Sequence, residues 1–356
     1  MAQFQKAVIT RSLGQAELVS NRPIPTLRDG YLLVQTVAVA LNPIDWKRLE
    51  NTPAAGATMG HDYAGVVVAV GASINRGFKV GDRVCGLVNG GDGTQVDNGS
   101  FAEYIVVKGD IQMKIPESVN FVDAATAGVG ITSVGQCLYG PSGLGLQLSE
   151  IGQEKPKEEA VLIYGGSTAS GLWGIQFAKL SGYRVVTTCS PHNYSLVKAH
   201  GADIIIDYHD PECSARIREA TDNALKIVLD TVATADSAKI CADAIHPAGG
   251  RYHALLPVQV PRSDVVSAFT DAGTTTGEPF EYGPESMVIP AMPAEFNFAV
   301  QWAGLAEKLW AEGKLRTIPV QRGQSGLKGI LDGLQELKDN KISGRKLVYV
   351  IADNVQ

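Results

Sequence analysis

The chain has 356 residues, 45% of them hydrophobic and 19% charged, which is enough to bury two cores and ordinary for a globular protein. A net charge of −6 leaves no electrostatic footprint for nucleic acid or an anionic membrane, and no apolar run reaches membrane-spanning length. The N-terminus lacks a signal-peptide pattern, and five dispersed cysteines (Cys85, Cys137, Cys189, Cys213 and Cys241) without C-x-x-C spacing read as reduced, buried thiols of a cytoplasmic protein.

Up to about Lys114, short β-patterned runs dominate, at residues 32–38, 63–70, 83–87 and 101–107. Turns such as Arg28-Asp-Gly30 and Val80-Gly-Asp82 separate them, and no strand-to-helix alternation appears, so a twisted, partly barrel-like β domain is expected. A helical stretch follows over 115–139. Residues 140–159, with their Gly, Pro and charge, read as an exposed loop joining two domains. From Ala160 to Pro257, strands at 161–164, 183–188, 204–207, 227–230 and 250–255 alternate with helices at 170–180, 194–200, 212–222 and 236–246. That alternation implies a doubly wound parallel sheet, hence an α/β chain. Residues 261–290 look irregular; amphipathic helices at 297–312 and 326–340 and a strand at 346–351 close the chain.

The most informative segment is Val161-Leu-Ile-Tyr-Gly-Gly-Ser-Thr-Ala-Ser-Gly171 with the second strand ending at Cys189-Ser-Pro-His-Asn193. Small residues after a buried strand allow a tight turn and let a pyrophosphate approach N–H groups at a helix N-terminus. An NAD-selective fold of this type places Asp or Glu at the end of the second strand, to bind the ribose 2′-hydroxyl. Ser190 stands there instead. A hydroxyl and free N–H groups accept a 2′-phosphate that a carboxylate repels, so NADPH is favoured, with Asn193 expected to cap the next helix and Lys198 further along it.

The order β domain, nucleotide-binding insert, return to the first domain resembles the medium-chain dehydrogenase/reductase superfamily. Its landmarks are Gly60-His-Asp-Tyr-Ala-Gly65, Val80-Gly-Asp-Arg-Val84, Gly99-Ser-Phe-Ala-Glu-Tyr104, Ile115-Pro and Gly201-Ala-Asp with Asp207-Tyr208. Tyr164-Gly-Gly-Ser-Thr-Ala169, Cys189-Ser-Pro-His-Asn193, Asn42-Pro-Ile-Asp45 with Lys47, and Gly130-Ile-Thr132 are similar to the trans-acting enoyl reductases that serve fungal polyketide synthases. The resemblance implies a GroES-like, partly open β-barrel domain at 1–158 and 291–356, and a Rossmann domain at 159–290. It implies NADPH as cofactor and reduction of the α,β-double bond of a thioester carried by the acyl carrier domain of a polyketide synthase, or of a polyketide synthase–peptide synthetase hybrid. It also implies a monomer.

For positions, the resemblance implies that Pro43, Ile44, Asp45 and Trp46 line the nicotinamide side, while Ser167, Thr168, Ala169 and Ser170 hold the pyrophosphate. Ser190, Pro191, His192 and Asn193 would take the 2′-phosphate and ribose, Tyr208 the adenosine end, and Leu255, Leu256, Val348 and Tyr349 the flanks of the nicotinamide. The acyl chain is assigned to Gly128, Val129, Gly130, Ile131, Thr132, Ser133, Val134 and Gly135, and to Ala272, Gly273, Thr274, Thr275 and Thr276. Lys47 reads either as the cation that orients a thioester carbonyl or as a solvated surface lysine. Lys108, Lys114, Lys155 and Lys157 are candidates for docking an acidic carrier.

Catalytic zinc needs three protein ligands. His61 stands where zinc enzymes of the superfamily have a ligand, but Leu41-Asn-Pro-Ile-Asp45 offers no thiolate and the cysteine lobe of a structural zinc is missing, so no metal is expected and His61 reads as structural or substrate-lining. Tyr63 reads as an inward strand residue, Trp302 and Trp310 as core, and His200, His209, His246 and His253 as surface or element-end residues. Two other functions fit the residues: a quinone or enone reductase acting on free small molecules, and a non-catalytic NADPH-binding protein.

Overall fold

A computed structural model describes residues 3–148, 151–152, 157–282 and 287–352. By its internal contacts the chain forms two compact units, one of residues 1–132 and 273–356, the other of residues 133–272. Both borders fall ahead of the 158/159 and 290/291 junctions expected from the sequence. At the first, the helix Gly128–Tyr139 already belongs at its C-terminal end to the second unit, where the Tyr139 hydroxyl donates to Phe177 O at 3.0 Å and meets Ser181 Oγ at 2.6 Å. At the second, chain beyond Gly273 has returned to the first unit: the Tyr31 hydroxyl donates to Glu278 at 2.5 Å and Lys108 pairs with the same carboxylate.

The first unit is built on a seven-stranded sheet. Its central strand Tyr31–Ala40 is buried along nearly its whole length, as a β-branched run covered on both faces requires. It pairs antiparallel with Asp62–Val70, Tyr104–Lys108 and Lys346–Val350; Arg83–Leu87, Met113–Lys114 and Val320–Arg322 complete the sheet. One core, including Val34, Tyr63, Phe101, Ile105, Leu347 and Tyr349, lies against it. The hairpin Phe4–Ser12 with Gln15–Pro23 was not read from sequence, nor was the helix Pro43–Asn51. The helix Pro293–Ala311 buries Trp302 and Trp310, and the Trp302 indole donates to Ile131 O at 2.9 Å. The expected helix at 326–340 is a 3₁₀ turn, Gly326–Gly329, followed by the α-helix Ile330–Lys338.

The second unit holds a six-stranded, all-parallel sheet in the order Ile204–Ile206, Arg184–Thr188, Ala160–Tyr164, Ile227–Asp230, Gly250–Ala254, Val265–Phe269. Strand order reverses between Arg184–Thr188 and Ile227–Asp230, on either side of Ala160–Tyr164, which places a topological switch point at the C-terminal end of that first strand. Val265–Phe269 is a sixth strand within a stretch that looked irregular. The joining segment is less exposed than expected, because Leu144, Leu146 and Ile151 are buried; Lys155 lies outside the described residues. All five cysteines are buried, and none forms a disulfide. Burial pushes the Cys189 and Cys213 thiols up to about 11 and raises those of Cys85 and Cys241 as well. His200 and His253, read as surface or element-end residues, stand at the ends of Tyr194–Ala199 and Gly250–Ala254, yet both are buried: the His200 Nδ1 lies 2.8 Å from Leu196 O, and His253 sits inside the sheet.

Candidate active site

In the second unit the chain leaves the strand Ala160–Tyr164 through Gly165, whose φ of +78° suits a residue without Cβ. The turn is fastened to the neighbouring strand, because Gly165 N donates to Thr188 Oγ1 at 3.0 Å and Gly166 N to Thr188 O at 2.8 Å. A Cβ on Gly166 would lie 2.0 Å from Thr187 Oγ1, so only glycine fits that approach. Thr168 caps the helix Ala169–Leu180 by accepting from Gly171 N at 2.9 Å, and its hydroxyl also meets Thr231 Oγ1 at 2.8 Å. Ser167, Thr168, Ala169 and Ser170 are half-buried around this helix N-terminus, where the dipole and unpaired N–H groups favour an anion.

The strand Arg184–Thr188 ends in the 3₁₀ turn Pro191–Asn193. The Ser190 hydroxyl donates to the Tyr208 hydroxyl at 3.3 Å, and Tyr208, 39% exposed, packs on the His209 ring 4.0 Å away. Four of the residues read as adenosine contacts thus collect at one strand end: Ser190, with exposed Pro191 and His192, and Tyr208. Asn193 occupies the N-cap position of Tyr194–Ala199 but makes no capping bond; its amide lies 3.3 Å from His192 Nε2 instead. The nearby Asp207 is engaged by His209, which donates from its backbone N at 3.0 Å and lies with Nδ1 at 2.8 Å, and these bonds hold the carboxyl below its usual range.

Beyond the switch point lies a carboxylate that sequence reasoning missed. Asp230 is fully buried at the end of its strand and accepts from Val232 N, Ala233 N, the Ser237 hydroxyl and the Tyr252 hydroxyl, at 2.6–2.9 Å. It thereby fixes Ala233 at a φ of +57° and shapes the loop leaving the strand. Leu255 and Leu256 follow the next strand and are half-buried.

In the first unit, strand register builds a buried polar cluster of its own. Val348 stands opposite Ala40 in the antiparallel pair, so Lys346 arrives beside Asn42 just past the end of Tyr31–Ala40. Lys346 is 3% exposed; its ammonium donates to Asn42 Oδ1 at 2.7 Å and forms an ion pair with Asp62, which is fully buried. Asp62 also accepts from Asn42 Nδ2 at 3.0 Å and from Val129 N at 2.6 Å. Asn42 N donates to Asp45 Oδ2 at 2.7 Å, and the other Asp45 oxygen lies 2.6 Å from His61 Nδ1. One hydrogen-bonded chain therefore runs from Lys346 through Asn42 and Asp62 to the start of the helix Gly128–Tyr139, and through Asp45 to His61. His61 Nε2 is buried and has no hydrogen-bond partner among the described residues. Lys346 carried no sequence signal beyond its place in a strand pattern, and Asp62 was read only as part of the Gly60–Gly65 landmark.

The remaining assigned residues are placed as follows. Asp45 is buried, Pro43 exposed, and Ile44 and Trp46 half-buried on the first turn of Pro43–Asn51. Lys47 is half-buried, its ammonium 5.6 Å from the Trp46 ring centroid, and burial lowers its pKa. Along 128–135 only Val129 and Thr132 are accessible; Ile131, Ser133 and Val134 are packed inward. In the 3₁₀ turn Ala272–Thr276, Gly273, Thr274 and Thr275 are buried. The Tyr349 ring faces the core away from Lys346, where Gly333, Gly323 and Gly329 make room for it, so the ring assigned to a nicotinamide flank is spent on packing. Burial raises its phenol to about 12. Tyr63 is fully buried and donates to Gln112 Oε1 at 2.8 Å. Of the proposed docking lysines, Lys108 pairs with Glu278, Lys114 with Asp82, and Lys157 lies over the Tyr183 ring.

Residues 28–117 match the alcohol dehydrogenase GroES-like domain family, and residues 169–255 match the zinc-binding dehydrogenase family. The trans-enoyl reductase resD of Aspergillus sclerotiorum is 44% identical over 97% of this chain and 99% of its own. The trans-enoyl reductase TOXD of Cochliobolus carbonum is 50% identical over 78% of this chain and 92% of its own. The chain belongs to the trans-enoyl reductases of the medium-chain dehydrogenase/reductase superfamily. A solved quinone oxidoreductase of Pseudomonas syringae shares the fold, with a TM-score of 0.73 at 24% identity over 97% of this chain and 99% of its own.

Membership implies a nicotinamide cofactor, and the two glycines and open helix N-terminus suit one. The zinc named in the second family fits poorly. His61 could offer Nε2, its Nδ1 being oriented by Asp45, but it has no second ligand beside it, since the adjacent Asp62 is neutralised by a buried ammonium that a dication would have to displace. Among the described residues no three His, Cys, Asp or Glu side chains gather as a ligand set. No described helix is long and apolar enough to cross a membrane.

Proposed function

We propose that this reductase uses NADPH to reduce the α,β-double bond of acyl thioesters borne on the acyl carrier domain of a polyketide synthase. The observation that carries the reading is its similarity, at 42–50% identity, to proteins named trans-enoyl reductases. When bound, the nicotinamide supplies a hydride, which goes to the β-carbon. The chain's own residues do the rest. N–H groups at the start of Ala169–Leu180 hold the pyrophosphate, and Ser190 with the neighbouring turn receives the 2′-phosphate that a carboxylate would repel. Lys47, a half-buried cation of lowered pKa, orients the thioester carbonyl as negative charge develops on it, and a proton then completes the α-carbon. The buried cysteines, none of them in a disulfide, agree with a cytoplasmic protein, and the monomer implied by the resemblance is part of the same reading.

The test compares NADPH oxidation with an enoyl thioester, free and carrier-bound, against a free quinone. Turnover of the thioester, faster when carrier-bound, supports the reading. Turnover of the quinone alone overturns it in favour of a small-molecule reductase, and cofactor binding without any turnover overturns it in favour of a non-catalytic protein.

A further inference from the structure

Lys346 is a cation held where solvent does not reach, and its partners are backbone-fixing groups. Its ion pair with Asp62 is desolvated on both sides, with side-chain exposures of 3% and 0%. Such a pair contributes little net stability over an apolar replacement, which leaves its geometry as what it offers. That geometry is directed. Asn42 receives the ammonium on its Oδ1, and Asn42 N caps back onto Asp45, so the cation sets the first turn of Pro43–Asn51. Asp62 receives it on Oδ2 and holds Val129 N with Oδ1, so the same cation sets the start of Gly128–Tyr139. These two segments are the ones assigned to the nicotinamide side and to the acyl chain.

We propose that Lys346 is the positioning residue of the reductive site, an internal cation that fixes the Asn42–Trp46 turn and the Val129 backbone relative to each other within the first unit. The inference rests on the enoyl reductase reading. It predicts that losing the charge separates alignment from cofactor binding, because the pyrophosphate and 2′-phosphate residues belong to other segments. A misalignment of about 1 Å costs on the order of 10²-fold in rate.

Two variants of the full chain test this. Lys346→Met alone strands a buried carboxylate and is expected to lower the melting temperature. Lys346→Met combined with Asp62→Asn removes both charges and keeps an acceptor for Val129 N, so it is expected to recover the melting temperature. The expected result for the double variant is an NADPH Kd within about threefold of the unmodified chain and a kcat on the enoyl thioester lower by roughly 10²-fold. A double variant that regains both melting temperature and kcat overturns the proposal, since the pair is then structural. Loss of NADPH affinity in step with kcat also overturns it. An unmodified chain that fails to turn over enoyl thioesters counts against the enoyl reductase reading instead, and is scored before the variants are made.

Discussion

His253 provides a test of the nucleotide-binding unit by proton linkage. It lies on Gly250–Ala254 between the neighbouring strands Ile227–Asp230 and Val265–Phe269, 1% exposed, with Nε2 2.8 Å from Thr270 Oγ1. Burial pushes its imidazole down to about 4 from the ordinary 6.5, because the sheet interior disfavours the charged form. Below pH 6.5 the unfolded chain therefore binds a proton that the folded chain refuses. Stability from this group is fully present above 6.5, and declines as the pH falls until it levels off near 4. Over the full window the loss is about 3 kcal/mol, and at about pH 5 it is already about 2 kcal/mol. His253→Gln keeps a partner for Thr270 and cannot titrate. Urea unfolding of both proteins at about pH 7.5 and about pH 5 should show the unmodified chain losing about 2 kcal/mol more than the variant. Equal losses in the two proteins would refute the account, and so would an NMR titration in which His253 protonates near 6.5.

Two further substitutions probe the cofactor half. Ser190→Asp places a carboxylate where the 2′-phosphate is proposed to sit. At about 5 Å and an effective dielectric near 20 the repulsion is about 3 kcal/mol per charge pair, less for a half-buried site, so the NADPH Kd should rise roughly 10- to 100-fold while NADH binding is unchanged or tighter. An unchanged NADPH Kd in titration would remove Ser190 from the 2′-phosphate site. Gly166→Ala drives a methyl into Thr187 Oγ1, which cannot swing away without abandoning its 2.6 Å bond to Ile163 O. A cost of about 1–3 kcal/mol is expected, seen as a lower melting temperature and weaker NADPH binding, with partial recovery on adding Thr187→Ala.

The nucleotide-binding unit was legible because its signals are local. A buried strand, two glycines and a helix with a small-residue start are contiguous, and each strand from Ala160 to Ala254 appeared within a few residues of its place. The buried polar cluster of the first unit was not legible in the same way. Lys346 and Asp62 are 284 positions apart, and only strand register brings them together. Nothing about a lysine opening a terminal strand distinguishes one that is buried from one that is solvated. Tyr349 illustrates the same point at the level of one residue: period-two alternation puts it on the opposite face from Lys346, yet which face has room for its ring depends on Gly323, Gly329 and Gly333 earlier in the chain. His253 stands at the strand end that its reading allowed, but its burial was not legible, because a histidine there looks polar until a parallel neighbour covers it.

The five buried thiols take on a different meaning once the proposed substrate is considered. An α,β-unsaturated thioester is an electrophile, and its β-carbon, which the reductase offers to a hydride, accepts a thiolate equally well. A reactive cysteine needs exposure and a pKa low enough to ionise, and this chain withholds both: each cysteine is out of solvent, and burial raises Cys85, Cys189, Cys213 and Cys241 away from the thiolate form. The fold keeps its own sulfur out of competition with the hydride, so an enzyme handling alkylating acyl chains presents them with no exposed thiolate to capture.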